Sequence, residues 1–201
     1  MEEVDFGTYH HSTPEESAQA RKEFKKIFSK AFEKSGIAPD SEINILDIGS
    51  GLGFLSYITA NYFGNSKITG IDIFDNENLK GSSLEKARHN MEILKLSDRV
   101  KFLNVDILSS DNIDQEFDFS VSNLVLHNLG RKRFKAYENI YGLLKNGGFF
   151  LNGDIFINTS ISNKFNSDIR KISNIFSVNC NIVMAKTDGL PNYRLVCLEK
   201  I

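Results

Sequence analysis

Short apolar runs alternate with helical repeats along most of the chain. The run at 43–48 is nearly continuous, which is typical of a strand buried on both faces of a parallel sheet. A glycine turn follows it, and apolar residues then recur at helical spacing from Phe54 to Phe63. Later runs predict strands at 67–73, 99–106, 117–123 and 149–156, with helices at 84–94 and 131–146. This alternation predicts an α/β fold built on a mostly parallel sheet.

Capping signals mark where two helices begin. Thr13 with Glu16 forms a capping box before a run of apolar residues at helical spacing, and Gly36 ends that helix. Ser82 with Glu85 predicts a second capping box, before the helix at 84–94.

The last part of the chain predicts a helix and a closing hairpin. Apolar residues recur at helical spacing from Ile161 to Phe176, and strands follow at 178–186 and 193–200, joined by Asp188–Asn192. Cys180 and Cys197 fall in these strands and are predicted to be buried free thiols. Because there are four histidines and no Cys/His cluster at ligand spacing, no metal site is expected.

Composition and charge narrow the class of protein. A chain of 201 residues with 41% hydrophobic and 25% charged residues suits one compact domain. A net charge of −2 gives no global attraction for nucleic acid or an anionic membrane, although a local basic patch stays possible. No apolar run has membrane-spanning length, and the N-terminus is acidic and polar rather than signal-like. A cytoplasmic protein without membrane or nucleic-acid partners is therefore expected.

The turn after the first strand carries three closely spaced glycines. Gly49, Gly51 and Gly53 allow backbone N–H groups to approach a ligand closely. The dinucleotide pattern G-x-G-x-x-G fails, because Phe54 and Ser56 stand where its third glycine belongs. No Gly-Lys-Ser/Thr follows, so the turn is not a phosphate loop of that class either.

The full pattern D-x-G-x-G-x-G begins at Asp47 and resembles the first motif of the class I S-adenosylmethionine-dependent methyltransferases. The resemblance implies a single-domain Rossmann-like fold, with a seven-stranded mostly parallel sheet, helices on both faces and a C-terminal antiparallel hairpin. It also implies S-adenosylmethionine as the cofactor and S-adenosylhomocysteine as the product. Asp47 would steer the methionine amino group, while the turn from Gly49 through Gly51 to Gly53 lies against the ligand.

Two further acids end the second and third predicted strands. Asp72, followed by Ile73, has the place of a carboxylate that accepts hydrogen bonds from ribose hydroxyls in both adenosyl and NAD binders. The run Gly-Ile-Asp-Ile also resembles the second motif of the family. In the family, the acid here at Asp106 accepts from the adenine amino group, with Ile107 against the ring. With Asp47, these acids are expected to share one edge of the sheet.

The acceptor side is predicted around the ends of the fourth and fifth strands. Asn123 is a candidate for cofactor or substrate contact, and Asn-Leu-Val-Leu here differs from the Asn/Asp-Pro-Pro-Tyr/Phe of enzymes that methylate base amino groups. His127 is a candidate general base, or alternatively a packing or capping residue. Asp154 is a candidate substrate contact. The Asp-Asn pair of metal-dependent catechol-type enzymes is absent, so no metal is expected.

The N-terminal residues are expected to form a lid. Residues 1–36 would form a lid segment and a helix packed on the core, and 37–201 the methyltransferase core. Tyr9 is a candidate cofactor contact, and His10 and His11 are candidate substrate contacts. The alternative is an unstructured terminus.

The function predicted from these features is in-line transfer of a methyl group from S-adenosylmethionine to an unidentified acceptor, with a small molecule favoured. One alternative is a catalytically inactive adenosyl-binding partner subunit, and another is a methyltransferase acting on protein or RNA. A dinucleotide oxidoreductase is opposed by Phe54 and Asp47.

Overall fold

One mixed sheet runs through the protein, for which a computed structural model describes residues 3–75, 79–156, 164–179 and 192–201. In this part of the chain the strands are β1 (Asn44–Ile48), β2 (Lys67–Asp72), β3 (Val100–Asn104), β4 (Phe117–Asn123), β5 (Leu144–Ile155), β6 (Ser177–Asn179) and β7 (Tyr193–Glu199). Their order in the sheet is β3-β2-β1-β4-β5-β7-β6. β7 runs antiparallel to both neighbours, and the pairs from β3 to β5 are parallel. The predicted fold is confirmed.

Five helices of the described residues cover the sheet: α1 (Pro14–Lys34), α2 (Phe54–Tyr62), α3 (Leu84–Ile93), α4 (Arg133–Leu143) and α5 (Lys164–Ile172). Short 3-10 segments follow β3 and β4, at Ile107–Asn112 and Leu126–Lys132. The capping box of α1 is present: Thr13 Oγ1 accepts from the Glu16 N–H at 3.2 Å, and Glu16 Oε2 accepts from the Thr13 N–H at 2.7 Å. Each box bond satisfies a backbone N–H that the helix leaves free.

The core has two apolar layers, one on each face of the sheet. The layer under α1, α2 and α3 includes the fully buried rings of Phe28, Phe32 and Phe119. The layer under α4 and α5 includes Ile140 and Phe150. Burial on both faces explains why the central strands read as continuous apolar runs.

Two local predictions are wrong. The helix predicted to run to 146 ends at Leu143, since β5 already begins at Leu144, opposite Phe117. Gly147 and Gly148 do not stop a helix there. The Gly147 N–H donates to the Lys200 carbonyl and the Lys200 N–H donates to the Gly148 carbonyl, both at 2.9 Å, and these bonds hold the segment beside the end of β7.

The second correction concerns the cap of α3. Ser83, rather than Ser82, is the N-cap, and its Oγ accepts from the Lys86 N–H at 3.2 Å. Ser82 is left buried, and its hydroxyl has no hydrogen-bond partner among the described residues. Ser82 therefore does not cap α3, and the predicted capping box with Glu85 does not form.

At the C-terminal end, β6 pairs antiparallel with β7, as the hairpin prediction requires. Cys180 and the turn residues 188–191 lie outside the described residues. Cys197 is a buried free thiol, and burial, with Glu199 nearby, raises its pKa to about 12. Among the described helices, none combines the length and apolar character that a bilayer span needs.

Candidate functional site

A cavity opens at the carboxyl ends of β1, β2 and β4, where the strand order of the sheet reverses. Open α/β sheets bind ligands at such a point. The structure brings most of the predicted cofactor residues into its wall: Tyr9, Asp47, Gly49, Gly51, Asp72, Ile73, Asp106, Ile107 and Asn123. Gly53 lies just behind them as the N-cap of α2.

The glycine turn has backbone φ angles that residues with a side chain rarely adopt. Gly49, Gly51 and Gly53 have φ of 67°, 50° and 87°. A Cβ at Gly49 would overlap the Val125 side chain, and one at Gly51 would lie 2.9 Å from Leu79. Glycine is therefore required at these positions both by conformation and by close packing.

Asp47 is buried, and only one of its carboxylate oxygens is satisfied. Ser56 Oγ donates to Oδ2 at 2.6 Å, while Oδ1 has no partner among the described residues. Burial raises the pKa of Asp47 to about 7, the Ser56 hydrogen bond opposes the rise, and the nearby Asp72 carboxylate adds to it. A buried acceptor without a donor, in the wall of a cavity, suits a cationic N–H group.

Asp72 is tied to the glycine turn. Its Oδ2 accepts from the Gly51 N–H at 2.9 Å and its Oδ1 from the Phe74 N–H at 2.7 Å. Burial raises the pKa of Asp72, these two backbone bonds oppose the rise, and Asp75 adds to it. The carboxylate is thus held at the cavity wall, and each oxygen keeps a second lone pair for a ligand hydroxyl.

Asp106 and two isoleucines form the far end of the cavity. Asp106 Oδ1 accepts from the Leu108 N–H at 2.8 Å, which fixes the side chain. Ile107 is buried, whereas Ile73 is 46% exposed, an unusual exposure for a large apolar side chain in this protein. Both isoleucines line the cavity, so this end offers apolar contact beside a hydrogen-bond acceptor.

Sequence reasoning missed two serines of the site. Ser50 and Ser82 line the cavity, and both hydroxyls are buried without a partner among the described residues. Ser50 lies between Gly49 and Gly51 of the glycine motif, and this position is the sequence signal that could have identified its hydroxyl as part of the site. Ser82 gave a misleading signal, because it fits the capping-box pattern with Glu85 while Ser83 is the N-cap of α3.

The N-terminal segment packs against the cavity. Phe6 and Tyr9 line it, and Tyr9 forms an isolated β-bridge with Leu79. The Asn90 amide holds the segment, accepting from the Asp5 N–H at 3.1 Å and donating to the Asp5 carbonyl at 2.8 Å. It also donates to the carbonyl of Leu52 in the glycine turn, at 2.9 Å, so one buried side chain joins the segment to the turn.

His10 and His11 lie outside the described cavity wall. Both are exposed, and their rings contact each other with centroids 3.9 Å apart. Of the three residues predicted in the lid, the structure therefore brings Tyr9 to the cavity and leaves the two histidines on the surface.

His127 and Asp154 form a close pair at the ends of β4 and β5. His127 Nδ1 lies 2.5 Å from Asp154 Oδ1, and the His127 N–H donates to Asp154 Oδ2 at 2.9 Å. Neither is among the described residues of the cavity wall, but Asn128 and Leu129, which follow His127, are. A proton on Nδ1 leaves Nε2 as the basic nitrogen.

Asn123 is held by a residue that the sequence did not single out. The Tyr193 hydroxyl donates to Asn123 Oδ1 at 2.7 Å across 70 positions of the chain. The turn after Asn123 is constrained as well, because Leu124 has φ of 60°, a left-handed value that is uncommon for leucine. In the described part of the chain, no group of three or more His, Cys, Asp or Glu could hold a metal ion.

A family model described as a methyltransferase domain matches residues 39–192. Release factor glutamine methyltransferases of Rhodopirellula baltica and Chlorobaculum tepidum are similar, at 37% identity over 79 residues and 28% over 127. These matches cover 39% and 60% of this chain, which spans only 25% and 41% of the two relatives.

Among solved structures, a magnesium protoporphyrin IX methyltransferase from Synechocystis with bound SAM is similar in fold. Its TM-score is 0.67 at 17% sequence identity, and the match covers 92% of this chain and 81% of that one.

Proposed function

Because this chain belongs to the methyltransferase domain family, we propose that it transfers the methyl group of S-adenosylmethionine to a small-molecule acceptor by in-line displacement. The family predicted from the sequence motifs is confirmed by the family match. The predicted cofactor is supported by a structural neighbour that was solved with bound SAM. The acceptor and the roles of the site residues belong to the proposal.

The observation that carries the proposal is the set of unsatisfied polar atoms in the cavity wall. Asp47 Oδ1 and the hydroxyls of Ser50 and Ser82 are buried without partners, and a bare buried polar atom is unfavourable. S-adenosylmethionine offers an ammonium, two ribose hydroxyls and an adenine amino group. The residues present fit such a ligand.

Each acid then has one task. Asp47 accepts from the methionine ammonium, Asp72 from the ribose hydroxyls, and Asp106 from the adenine amino group. Ile73 and Ile107 contact the adenine ring. This order follows the edge of the sheet from β1 through β2 to the turn after β3.

The reaction requires few catalytic groups from the protein. The cofactor supplies an already activated methyl group, so alignment and exclusion of water are the main contributions of the chain. Such alignment can supply roughly 7–11 kcal/mol of a barrier. Phe6 and Tyr9, with residues of the turn after β4, supply walls of the cavity.

We assign proton removal from the acceptor to His127. Asp154 fixes the ring through Nδ1 and through the backbone N–H of the same residue, which leaves Nε2 available to take a proton from a hydroxyl acceptor. Asn123, held by Tyr193, contacts cofactor or acceptor. General-base help of this kind is worth roughly 10²–10⁴-fold in rate.

The covered cavity supports a small acceptor. Residues 1–36 act as lid segment and packed helix, and 37–201 as the catalytic core, in this proposal. Phe6 and Tyr9 of this segment line the cavity, and in this proposal the segment admits a small molecule more readily than a folded partner.

A second candidate is methylation of a protein side chain. The two curated relatives are named release factor glutamine methyltransferases, and this likeness favours a protein acceptor. The N-terminal segment would then have to move away from the cavity.

An assay with methyl-labelled S-adenosylmethionine separates the candidates. Cell extract is divided into a small-molecule and a protein fraction, and each is incubated with the wild-type chain and with Asp72→Ala. We expect label in the small-molecule fraction, lost with Asp72→Ala. Label in protein alone would favour the second candidate. Binding of S-adenosylhomocysteine without label in either fraction would leave a non-catalytic adenosyl-binding subunit.

A further inference from the structure

We propose that Arg21 on α1 binds the carboxylate of the methionine moiety of the cofactor, together with the N-terminus of α2. The inference rests on the cofactor of the proposed function and adds the one contact that the cavity wall itself does not provide. Among the described residues of that wall there is no Lys, Arg or His, while Asp47, Asp72, Asp75 and Asp106 are present. The carboxylate of the methionine moiety therefore needs a cation from a residue just behind the cavity wall.

Arg21 carries one buried guanidinium donor that has no partner among the described residues. Nη2 donates to the Phe6 carbonyl at 2.7 Å and to the Gly7 carbonyl. Nε is buried and has no partner among the described residues, and no carboxylate of those residues lies within ion-pair distance of Arg21. Arginine stays charged at any working pH, so a partly buried guanidinium without a counter-ion is unfavourable unless an anion joins it.

Arg21 packs against residues that line the cavity. Its Cζ lies 4.8 Å from the ring centroid of Tyr9 and 6.0 Å from that of Phe54. Tyr9 and Phe54 line the cavity, and so does Phe6, whose carbonyl Arg21 holds. The guanidinium is thus packed directly behind three residues of the site, against the rings of Tyr9 and Phe54 and the backbone carbonyl of Phe6.

The N-terminus of α2 meets the same part of the cavity. Its N-cap is Gly53, no side chain caps it, and its first turn carries no acid. Phe54 and Leu55, the first two residues of this nine-residue helix, line the cavity. Uncapped N–H groups with the positive end of a helix dipole favour a carboxylate.

The ammonium and the carboxylate of the methionine moiety are then bound by different groups of the protein. Asp47, at the carboxyl end of β1, offers the unpaired Oδ1 to the ammonium. Arg21 and the start of α2 take the carboxylate. This one contact explains both the Arg21 Nε that has no partner among the described residues and the α2 N-terminus that no side chain caps.

Isothermal titration with two ligands tests the contact. S-adenosylhomocysteine carries the carboxylate, and S-adenosyl-3-thiopropylamine keeps the ammonium but lacks it. Wild-type protein should bind the first about 10- to 100-fold more tightly, as expected for a charged hydrogen-bonded contact. Arg21→Gln should remove most of that preference by weakening S-adenosylhomocysteine alone, and Arg21→Lys should keep part of it. Lys22→Gln, on the exposed side of α1, should change neither.

Two results would overturn the inference. Equal binding of both ligands by the wild type would exclude a carboxylate contact without any variant. Equal weakening of both ligands by Arg21→Gln would show that Arg21 acts only by holding Phe6 and Gly7. Failure of the wild type to bind either ligand would instead refute the proposed cofactor site, and the Arg21 contact with it.

Discussion

Ser56 Oγ donates a 2.6 Å hydrogen bond to Asp47 Oδ2, and the other oxygen of that carboxylate has no partner among the described residues. The bond runs from the first turns of α2 back to β1, so it locks the acid beside the glycine turn. It orients Asp47 and leaves Oδ1 for a cation. Because burial raises the pKa of Asp47 by more than the Ser56 hydrogen bond lowers it, this pKa is raised to about 7.

The raised pKa predicts a pH-dependent cofactor affinity. The ammonium prefers the ionised carboxylate, so affinity for S-adenosylhomocysteine should rise with pH up to about 7 and then level off. Below that point a single linked proton gives about a tenfold change per pH unit. Titrations between pH 5.5 and 7.5 measure it. Ser56→Ala should move the midpoint upward, since it removes the bond that lowers the pKa.

Asp47→Asn is the control for the pH dependence. It should bind weakly with a flat profile. In the ligand-free protein it should also raise the melting temperature at pH 8 more than at pH 5. A carboxylate whose folded pKa is raised from 3.8 to about 7 makes folding less favourable as pH rises through that window. A flat wild-type profile would contradict the assignment of Asp47.

Asp72→Ala should weaken cofactor binding about tenfold or more. It removes acceptor bonds to ribose from a charged group, each worth roughly 1.5–3 kcal/mol. Asp72→Asn should be milder, because its amide oxygen still accepts. Isothermal titration measures both, with circular dichroism as the check on folding. Wild-type affinity in Asp72→Ala would remove Asp72 from the site.

Gly51→Val should abolish binding. The new Cβ would lie 2.9 Å from Leu79 at a φ of 50°, which combines strain with crowding inside the cavity wall. Gly36→Val is the matched control, since Gly36 has φ of 75° with open space around its Cβ. It should lose stability and keep binding. If Gly51→Val binds as tightly as Gly36→Val, the turn has only a structural role.

His127→Asn should lower kcat about 10²–10⁴-fold and leave cofactor affinity unchanged, because the assigned base contacts the acceptor. Asp154→Asn should give a smaller loss, since it disturbs the hydrogen bond that orients the ring. Single-turnover rates, once an acceptor is found, measure both. A rate unaffected by His127→Asn would return His127 to the role of a packing or capping residue.

Deletion of residues 1–12 should weaken both cofactor binding and activity. It removes Phe6 and Tyr9 from the cavity wall and Asp5 from the Asn90 amide. Because Phe6 also packs on Phe54 and Tyr57, the melting temperature should fall as well. Asn90→Ala should weaken binding less in the truncated chain than in the full one. Equal effects of Asn90→Ala in both chains would argue against a lid held by Asn90.

The features predicted correctly from sequence are mostly local. The Thr13 capping box needs four neighbouring residues, and the bounds of β4 at Phe117–Asn123 follow from a short run in which apolar and polar residues alternate. The position of Asp72 followed from the strand that it ends. Local patterns of this kind reflect hydrogen bonds and periodicity within one element.

The features that were missed depend on contacts between distant residues. Tyr193 donates to Asn123 across 70 positions, and Lys200 holds Gly147 and Gly148 of β5 from the far end of the chain. Arg21 is one of many charged residues on α1 until Phe6 and Tyr9 fold against it. No spacing rule reports such pairings.

A crystal structure with S-adenosylhomocysteine tests the central claim most directly. The account predicts the ligand in the cavity at the ends of β1, β2 and β4, with its ammonium within hydrogen-bond distance of Asp47 Oδ1 and its ribose hydroxyls on Asp72. A complex that places the ligand elsewhere, or crystals grown in excess ligand that leave Asp47 Oδ1 without a ligand contact, would contradict it.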